Sequence, residues 1–304
     1  MVHRSTFNCK VITPLLLYGA DGETPELRPP AIKGVMRFWW RAINGDTGVK
    51  KLRKGEGAIF GGIGKGQGQS AFSIFIRPVE LRVSEYRPLP HHTGDSNCPH
   101  LPSCENRRRR DGKCAKGFPK RGFSPDSTFE VILVSKKSRR AKPNEKFGLA
   151  KTLFEITCLL GGFGNRSRRG FGNVSIAGLK PSMELICDKL NSICMDKVFK
   201  FDETNCIITS PFPPKTDYPA IKRVQLGLKP YRTYSELLKK IGNATHTYNP
   251  TGSNALGKVR GGRLASPIYV SVLKIDEEYR PIVTTLNIDR NDKQTKFIRE
   301  ICNC

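Results

Sequence analysis

The sequence predicts an α+β fold in two halves, and three observations support this prediction. Strand-like and helix-like patterns follow one another in a regular order over the first 180 residues. A rougher version of the same order occupies the rest of the chain. The length of 304 residues also corresponds to two domains of ordinary size.

The first half is predicted to run strand, helix, strand, strand, helix, strand. Its strands alternate apolar and polar residues or are rich in β-branched and aromatic ones, and its helices repeat apolar residues at helical spacing. The first helix begins with two prolines, which a first turn tolerates. The predicted ranges are 6–17, Pro29 to Asn44, 71–83, 127–135, 144–160 and 173–180. This order is that of a ferredoxin-like domain, the arrangement also found in RNA recognition motifs.

The second half is predicted to be a degenerate copy of the first, because it lacks an obvious last strand. A helical stretch follows residue 180 and leads into further strands and helices. Strands are predicted near 204–210, 264–275 and 281–288, and helices near 231–242 and 291–302. We therefore expect two ferredoxin-like domains, at 1–180 and 181–304.

Two long loops interrupt the first predicted domain. The first, GEGAIFGGIGKGQGQ, is very rich in glycine and lies between the first helix and the second strand. The second is an insert at about 86–126, rich in proline, arginine, histidine and cysteine. Inserts of this length within a domain are usually functional or disordered.

The charge of the chain favours a polyanionic partner. There are 52 lysines and arginines against 27 acidic residues, a formal net charge of +25. Such an excess indicates nucleic acid first and an anionic membrane second. No apolar run approaches the ~20 residues of a spanning helix, so we expect a cytoplasmic protein with no membrane partner. The ten cysteines are then expected to be thiols or metal ligands rather than disulfides.

The first predicted helix carries a basic stripe. Lys33, Arg37 and Arg41 are spaced four residues apart and share one face, opposite the apolar residues. Trp40 and Phe38 lie beside them and offer surfaces on which bases stack. The stripe is interpreted as an RNA-binding surface; the alternative is ordinary solvated surface.

The sequence GGFGNRSRRGFG, residues 161–172, holds five glycines and three arginines. Glycines allow a close approach to the backbone, and arginines bind phosphate oxygens. The sequence matches neither a P-loop nor a dinucleotide-binding fingerprint, so a polymer phosphate is expected rather than a bound nucleotide. A plain turn with its arginines in water remains the alternative. The predicted contacts are Gly162, Gly164, Asn165, Arg166, Arg168, Arg169 and Gly170.

A second glycine–arginine turn, GKVRGGRLASP, precedes the strand predicted at 264–275. Lys258, Arg260 and Arg263 are predicted to contact the RNA backbone there.

The insert contains candidate zinc ligands. Cys98, His100, Cys104 and Cys114 supply four donors, and His91 or His92 is an alternative for the histidine. A segment with so few apolar residues needs a cross-link such as a bound metal ion to become ordered. The alternative is a flexible basic loop with incidental cysteines. No other cofactor is predicted.

No catalytic constellation is evident in the sequence. Neither a Ser-His-Asp nor a Cys-His pairing stands out, and no cluster of carboxylates is present. A metal-independent ribonuclease needs only a general base near a 2′-hydroxyl, so His246 keeps that alternative open.

Several motifs together resemble a known family. The pattern from Gly162 to Gly172 resembles the glycine-rich loop of the RAMP superfamily of CRISPR proteins. Together with LRPPAIKGVMRFWWRA, IFGG and GGRLASP, it resembles the family of first-numbered subunits of the Cmr complex, the type III-B effector. The Cys/His insert is a departure that matches no family motif.

The resemblance implies two ferredoxin-like domains and a place in a multi-subunit ribonucleoprotein. Family members hold guide RNA and target RNA near the 3′ end of the guide, beside other Cmr subunits, and are not thought to cut. The basic residues of the first helix and the loop arginines would then contact RNA. Related superfamily members that process guide precursors do cut, so an endoribonuclease is the runner-up expectation, and a basic structural protein of another ribonucleoprotein is a third.

Overall fold

The computed structural model describes residues 2–45, 47–63, 68–95, 97–99, 114, 118–136, 143–195, 198–210, 218–250, 253–258, 262, 264–286 and 292–303. Within them the chain forms eleven strands and six helices in an α+β arrangement. The helices are α1 (Pro29–Ile43), α2 (Val49–Phe60), α3 (Pro143–Leu160), α4 (Met183–Ile193), α5 (Tyr234–Tyr248) and α6 (Asp292–Cys302). The strands are β1 (Arg4–Val11), β2 (Phe72–Glu80), β3 (Val83–Tyr86), β4 (Lys120–Phe123), β5 (Thr128–Ser135), β6 (Val174–Ile176), β7 (Lys200–Asp202), β8 (Ile207–Thr209), β9 (Ile221–Leu226), β10 (Ile268–Ile275) and β11 (Glu278–Leu286).

The first sheet has four antiparallel strands in the order β2-β5-β1-β6. Alternate side chains of β1 are buried, so one face of the sheet packs on helices and the other is open. The buried face includes Phe7, Cys9 and Val11. The main elements follow the order that the sequence predicts, strand, helix, strand, strand, helix, strand.

Three features of the first half differ from the prediction. The strand predicted at 6–17 ends at Val11, because the next amide, that of Ile12, bonds to the Asn173 carbonyl and Pro14 has no amide to offer. The glycine-rich loop begins as helix α2, since its periodic apolar residues outweigh its glycines. Strands β3 and β4 form a hairpin at the base of the insert.

The second sheet has five antiparallel strands in the order β10-β11-β9-β8-β7. Strand β9 was not predicted, because its sequence IKRVQL mixes two basic residues with its apolar ones. The sheet position beside β9 is filled by β8, which precedes it in the chain, so no last strand is needed there. Helix α5 extends to Tyr248, further than predicted.

The two sheets and their helices form alternating layers. One continuous core joins the first sheet, helices α1 to α4 and one face of the second sheet. A second core joins the other face of the second sheet to α5 and α6. Strand β10 is buried on both faces from Ile268 to Leu273, so the halves share a large apolar contact.

Two further expectations concern membrane-spanning helices and the state of the cysteines. None of the described helices is long and apolar enough to cross a membrane. The eight described cysteines form no disulfide with one another.

Candidate nucleic-acid interface

The glycine loop, residues 161–172, folds back against its own chain. A Cβ added to Gly162 would lie 2.6 Å from the Phe171 carbonyl oxygen, and one added to Gly170 would lie 2.8 Å from a methyl of Leu238. Gly164, with φ of 79°, abuts the Leu16 carbonyl. Protein atoms fill the space that a side chain would need at these three glycines, so packing within the protein accounts for them without the predicted phosphate.

The same loop covers the edge of the second sheet. The Gly170 amide donates to Val270 O at 2.8 Å, and the Val270 amide donates to Arg168 O at 3.2 Å. Beside it, the buried Asn173 accepts from the Val272 amide at 3.0 Å. The loop thus pairs with β10 along its outer edge and joins the two halves.

Arg169 is a structural residue of this junction. Its guanidinium is buried and donates to Ile268 O, Leu256 O and Ser266 Oγ, each at 3.0 Å. Burial, followed by the charges of Arg166 and Arg168, lowers its pKa to about 9. The donors of Arg169 are held by internal acceptors, which favours a structural role over the predicted RNA contact.

Arg166 has the opposite character. It adopts φ of 60°, and its Nε is buried without a hydrogen-bond partner among the described residues. Burial lowers its pKa to about 10, so the side chain remains a cation at neutral pH. A buried Nε–H group without an acceptor is costly, and an incoming anion would relieve that cost. The neighbouring Asn165 is exposed at the loop tip.

Arg168 connects the loop to the first helix. Its guanidinium lies 4.4 Å from the ring centre of Tyr269 and 5.6 Å from that of Phe38. It also donates to the Ser266 carbonyl. Stacking on two aromatic rings holds this cation in place while leaving it partly exposed.

The three loop arginines carry charge that no carboxylate offsets. The acceptors of Arg168 and Arg169 are carbonyl and hydroxyl oxygens. Within the described residues none of the three forms an ion pair. Hydrogen bonds to neutral groups satisfy donors but leave the net charge, so the loop projects a positive field.

Helix α1 adds to this charge at its N-terminal end. Lys33 is half-buried, and burial together with Arg37 and Lys136 lowers its pKa. Its ammonium lies 5.0 Å from the ring centre of Phe72. The sequence prediction missed Lys136, although the basic run KKSRRAK that begins there was a usable signal.

The other two basic residues of α1 are engaged with helix α2. Arg37 donates to the carbonyls of Phe60 and Gly61 at 3.0 and 3.2 Å, at the end of α2. Glu56 lies 3.6 Å from Arg37 and 3.7 Å from Arg41. Both guanidinium groups keep more than a third of their side-chain surface exposed, so they remain accessible, but one carboxylate partly offsets their charge.

Trp40 does not offer a stacking surface. It is 3% exposed, and its ring fills the space above Gly55 of α2, where a Cβ would lie 2.8 Å away. Trp40 belongs to the core, which does not favour the predicted contact with RNA. Phe38 is the partly exposed aromatic of the helix.

The second glycine–arginine turn is described only at its base. Lys258 and Leu264 exchange backbone hydrogen bonds of 3.0 and 2.9 Å, which close the turn. Lys258 is partly exposed. Arg260 and Arg263 lie outside the described residues.

The predicted metal ligands are partly brought together. The sulfurs of Cys98 and Cys114 both lie 3.5 Å from His92 Nδ1. His100 and Cys104 lie outside the described residues. His246, the candidate base, is on α5 with its ring 5.7 Å from that of His91 and 5.8 Å from that of His92.

Comparisons with known proteins agree with the resemblance. The family model of the RAMP superfamily matches residues 8–175. The CRISPR system Cmr subunit Cmr1-2 of Pyrococcus furiosus is 27% identical over 194 residues, which cover 59% of this chain and 98% of that protein. The apo crystal structure of Cmr1 from Pyrococcus furiosus matches with a TM-score of 0.57 at 20% identity, over 100% of this chain and 96% of that one. A cryo-EM structure of the type III-B Cmr-beta complex, bound to cognate target RNA and AMPPnP in the presence of ssDNA, contains a chain of similar fold. The TM-score is 0.56 at 14% identity, and the match covers 98% of this chain and 97% of that one.

Proposed function

The chain belongs to the RAMP superfamily, and we propose that it is a non-catalytic RNA-binding subunit of a type III-B CRISPR effector. In this role it holds guide RNA and target RNA near the 3′ end of the guide, beside other Cmr subunits in the cytoplasm. Its similarity to Cmr1-2, and to the fold of a chain in a Cmr complex bound to target RNA, supports this proposal.

We also infer that both halves are ferredoxin-like domains, divided at about residue 180. The strand order of the first sheet supports this for the first half. In the second half, β9, α5, β10 and β11 repeat the first four elements of that order, with β8 in the place of the last strand.

One observation carries the RNA-binding proposal, and it is the unpartnered cation of Arg166. The loop concentrates three guanidinium groups without a carboxylate, and Arg166 is the one with a buried donor, Nε, that no described residue accepts from. Phosphate oxygens match the planar fork of arginine. The sugar–phosphate backbone of RNA is the polymer that supplies them in series.

The surroundings of Arg166 suit a strand held by its backbone. Arg168 lies next to Phe38 of α1, and Lys33 lies on the same helix. Together with Arg37 and Arg41 they form a basic surface with one partly exposed aromatic. A subunit that accepts guides of many sequences needs contacts of this kind, because phosphates and base faces are common to all of them.

The surroundings of His246 support a non-catalytic role. A general base must reach the proton that it abstracts. Here the His246 ring packs against His91 and His92, beside two buried cysteines. This set of donors is typical of a metal site rather than of a lone base.

The salt dependence of RNA binding by Arg166→Gln tests the proposal. We expect the variant to bind a labelled single-stranded RNA more weakly, with the slope of log K against log salt reduced by about 0.7 for the lost phosphate contact. Thermal stability should not fall, because the substitution removes a buried cation that has no partner.

Arg77→Gln is the matched control for this experiment. Arg77 carries the same charge but lies on the open face of the first sheet, paired with Glu130. An unchanged slope for Arg166→Gln, or an equal loss for Arg77→Gln, would show that RNA does not bind at the loop.

A further inference from the structure

We propose that His92, Cys98 and Cys114 bind a structural zinc ion that fastens the insert to the second half of the protein. The three residues are distant in sequence from the glycine loop, and the proposal does not depend on RNA binding. They are 2%, 4% and 2% exposed, in a segment whose composition is otherwise strongly polar.

The geometry matches three corners of a tetrahedral zinc site. His92 Nδ1 lies 3.5 Å from the sulfur of Cys98 and 3.5 Å from that of Cys114, and the three donor atoms all lie within 4.8 Å of one another. Zinc–sulfur bonds of about 2.3 Å and zinc–nitrogen bonds of about 2.0 Å place nitrogen and sulfur about 3.5 Å apart at the tetrahedral angle. One ion can therefore reach all three donors with little movement of their side chains.

The chemistry of the donors selects the metal. Two thiolates and an imidazole suit zinc, whereas magnesium and calcium require oxygen ligands. Burial of two cysteines and a histidine together, away from the main cores, also needs an explanation other than packing. A bound ion explains why a cluster of three polar side chains is sheltered from water.

The neighbouring histidines show what the ion would hold in place. His91, His92 and His246 each place a ring nitrogen within 4.8 Å of the other two, and they form a second group of possible ligands around His92. His91 packs directly on Gly242 of α5, where a Cβ would collide with its Nδ1. The metal would thus fix the chain at His91, His92 and Cys98 against a helix of the second half, since the insert has few apolar residues with which to do so.

Metal content and ligand type test the proposal. We expect the purified full chain to carry one zinc ion, measured by elemental analysis, and X-ray absorption at the zinc edge to show at least two sulfur neighbours. Cys98→Ser and Cys114→Ser should each lose most of the zinc, and Cys206→Ser, which changes a partly exposed thiol elsewhere, should keep it. The absorption measurement uses the unaltered protein, so it remains decisive if the variants fail to fold.

Gly242→Ala provides a variant that leaves every donor intact. Alanine normally stabilises a helix relative to glycine. Here the added methyl should push His91 away and speed the loss of zinc to a chelator several-fold. A chain with no zinc after reconstitution, oxygen-only ligation, or a mass that reveals a Cys98–Cys114 disulfide would overturn the proposal, as would equal zinc release from Gly242→Ala and the unaltered protein.

Discussion

The three arginines of the glycine loop have the same side chain but lie in three different environments. Arg169 is buried and bonded to three acceptors of the second half. Arg168 stacks on Tyr269 and Phe38, and Arg166 keeps an unused buried donor. We therefore give Arg169 a structural role and propose Arg166 as the phosphate-binding residue.

Arg169→Lys tests the structural role at this scale. Lysine keeps the charge but has a single ammonium, so it cannot donate to Ile268 O, Leu256 O and Ser266 Oγ in the same geometry. We expect the free energy of unfolding to fall by about 3 kcal/mol, because buried acceptors lose their donors. Chemical denaturation measures this directly. Arg166→Gln is the control, and equal stability of Arg169→Lys and the unaltered protein would contradict the assignment.

The composition of this loop indicates an unusual local structure, but it does not show which of its residues pack inside the protein and which are exposed. Five glycines and three arginines predict a close approach of some group to the main chain. The group turned out to be the chain itself at Gly162, Gly164 and Gly170. The burial of Trp40 is also not predictable from the sequence, because it results from the packing of α2 on α1.

At the scale of elements, the loop and Asn173 act as an extra strand beside β10. Without them β10 would be an exposed sheet edge with free amides at Val270 and Val272. An uncovered edge of apolar residues invites aggregation. The loop protects this edge and ties the halves together by the same hydrogen bonds.

Asn173→Ala tests this role of the loop. The substitution leaves the Val272 amide and the Gly161 carbonyl without their partner. We expect hydrogen exchange in β10 to become markedly faster and the unfolding free energy to fall by about 2 kcal/mol or more. Asn8→Ala, on the exposed face of β1, is the control. Slow exchange retained in β10 of the Asn173 variant would refute the pairing.

Most elements were predictable because their periodicity is strong. The order of the main elements in the first half followed from alternation and helical spacing. Helix α2 was missed because Gly55, Gly57 and Gly61 suggested a loop, and β9 was missed because its basic residues obscured its alternation. Sequence spacing does not show which histidine meets the sulfurs of Cys98 and Cys114, so His92 is only one alternative among the predicted ligands.

At the scale of the whole molecule, there are two candidate surfaces for RNA binding. The open face of the first sheet is where RNA recognition motifs bind. Here that face carries one strongly exposed aromatic, Phe75, and its Arg77 is paired with Glu130. The surface formed by α1 and the loop tip carries Lys33, Arg37, Arg41, Arg166 and Arg168, and among the described residues Glu56 is the carboxylate paired with them. We therefore propose this surface, rather than the open sheet face, for RNA.

Crosslinking of 4-thiouridine RNA to the full chain, with mass spectrometry of the linked peptides, distinguishes these surfaces most directly. We expect crosslinks in peptides that contain Phe38 or Asn165, reduced in Arg166→Gln and retained in Arg77→Gln. Crosslinks confined to the strand that carries Phe75 would contradict the assignment of RNA to α1 and the glycine loop.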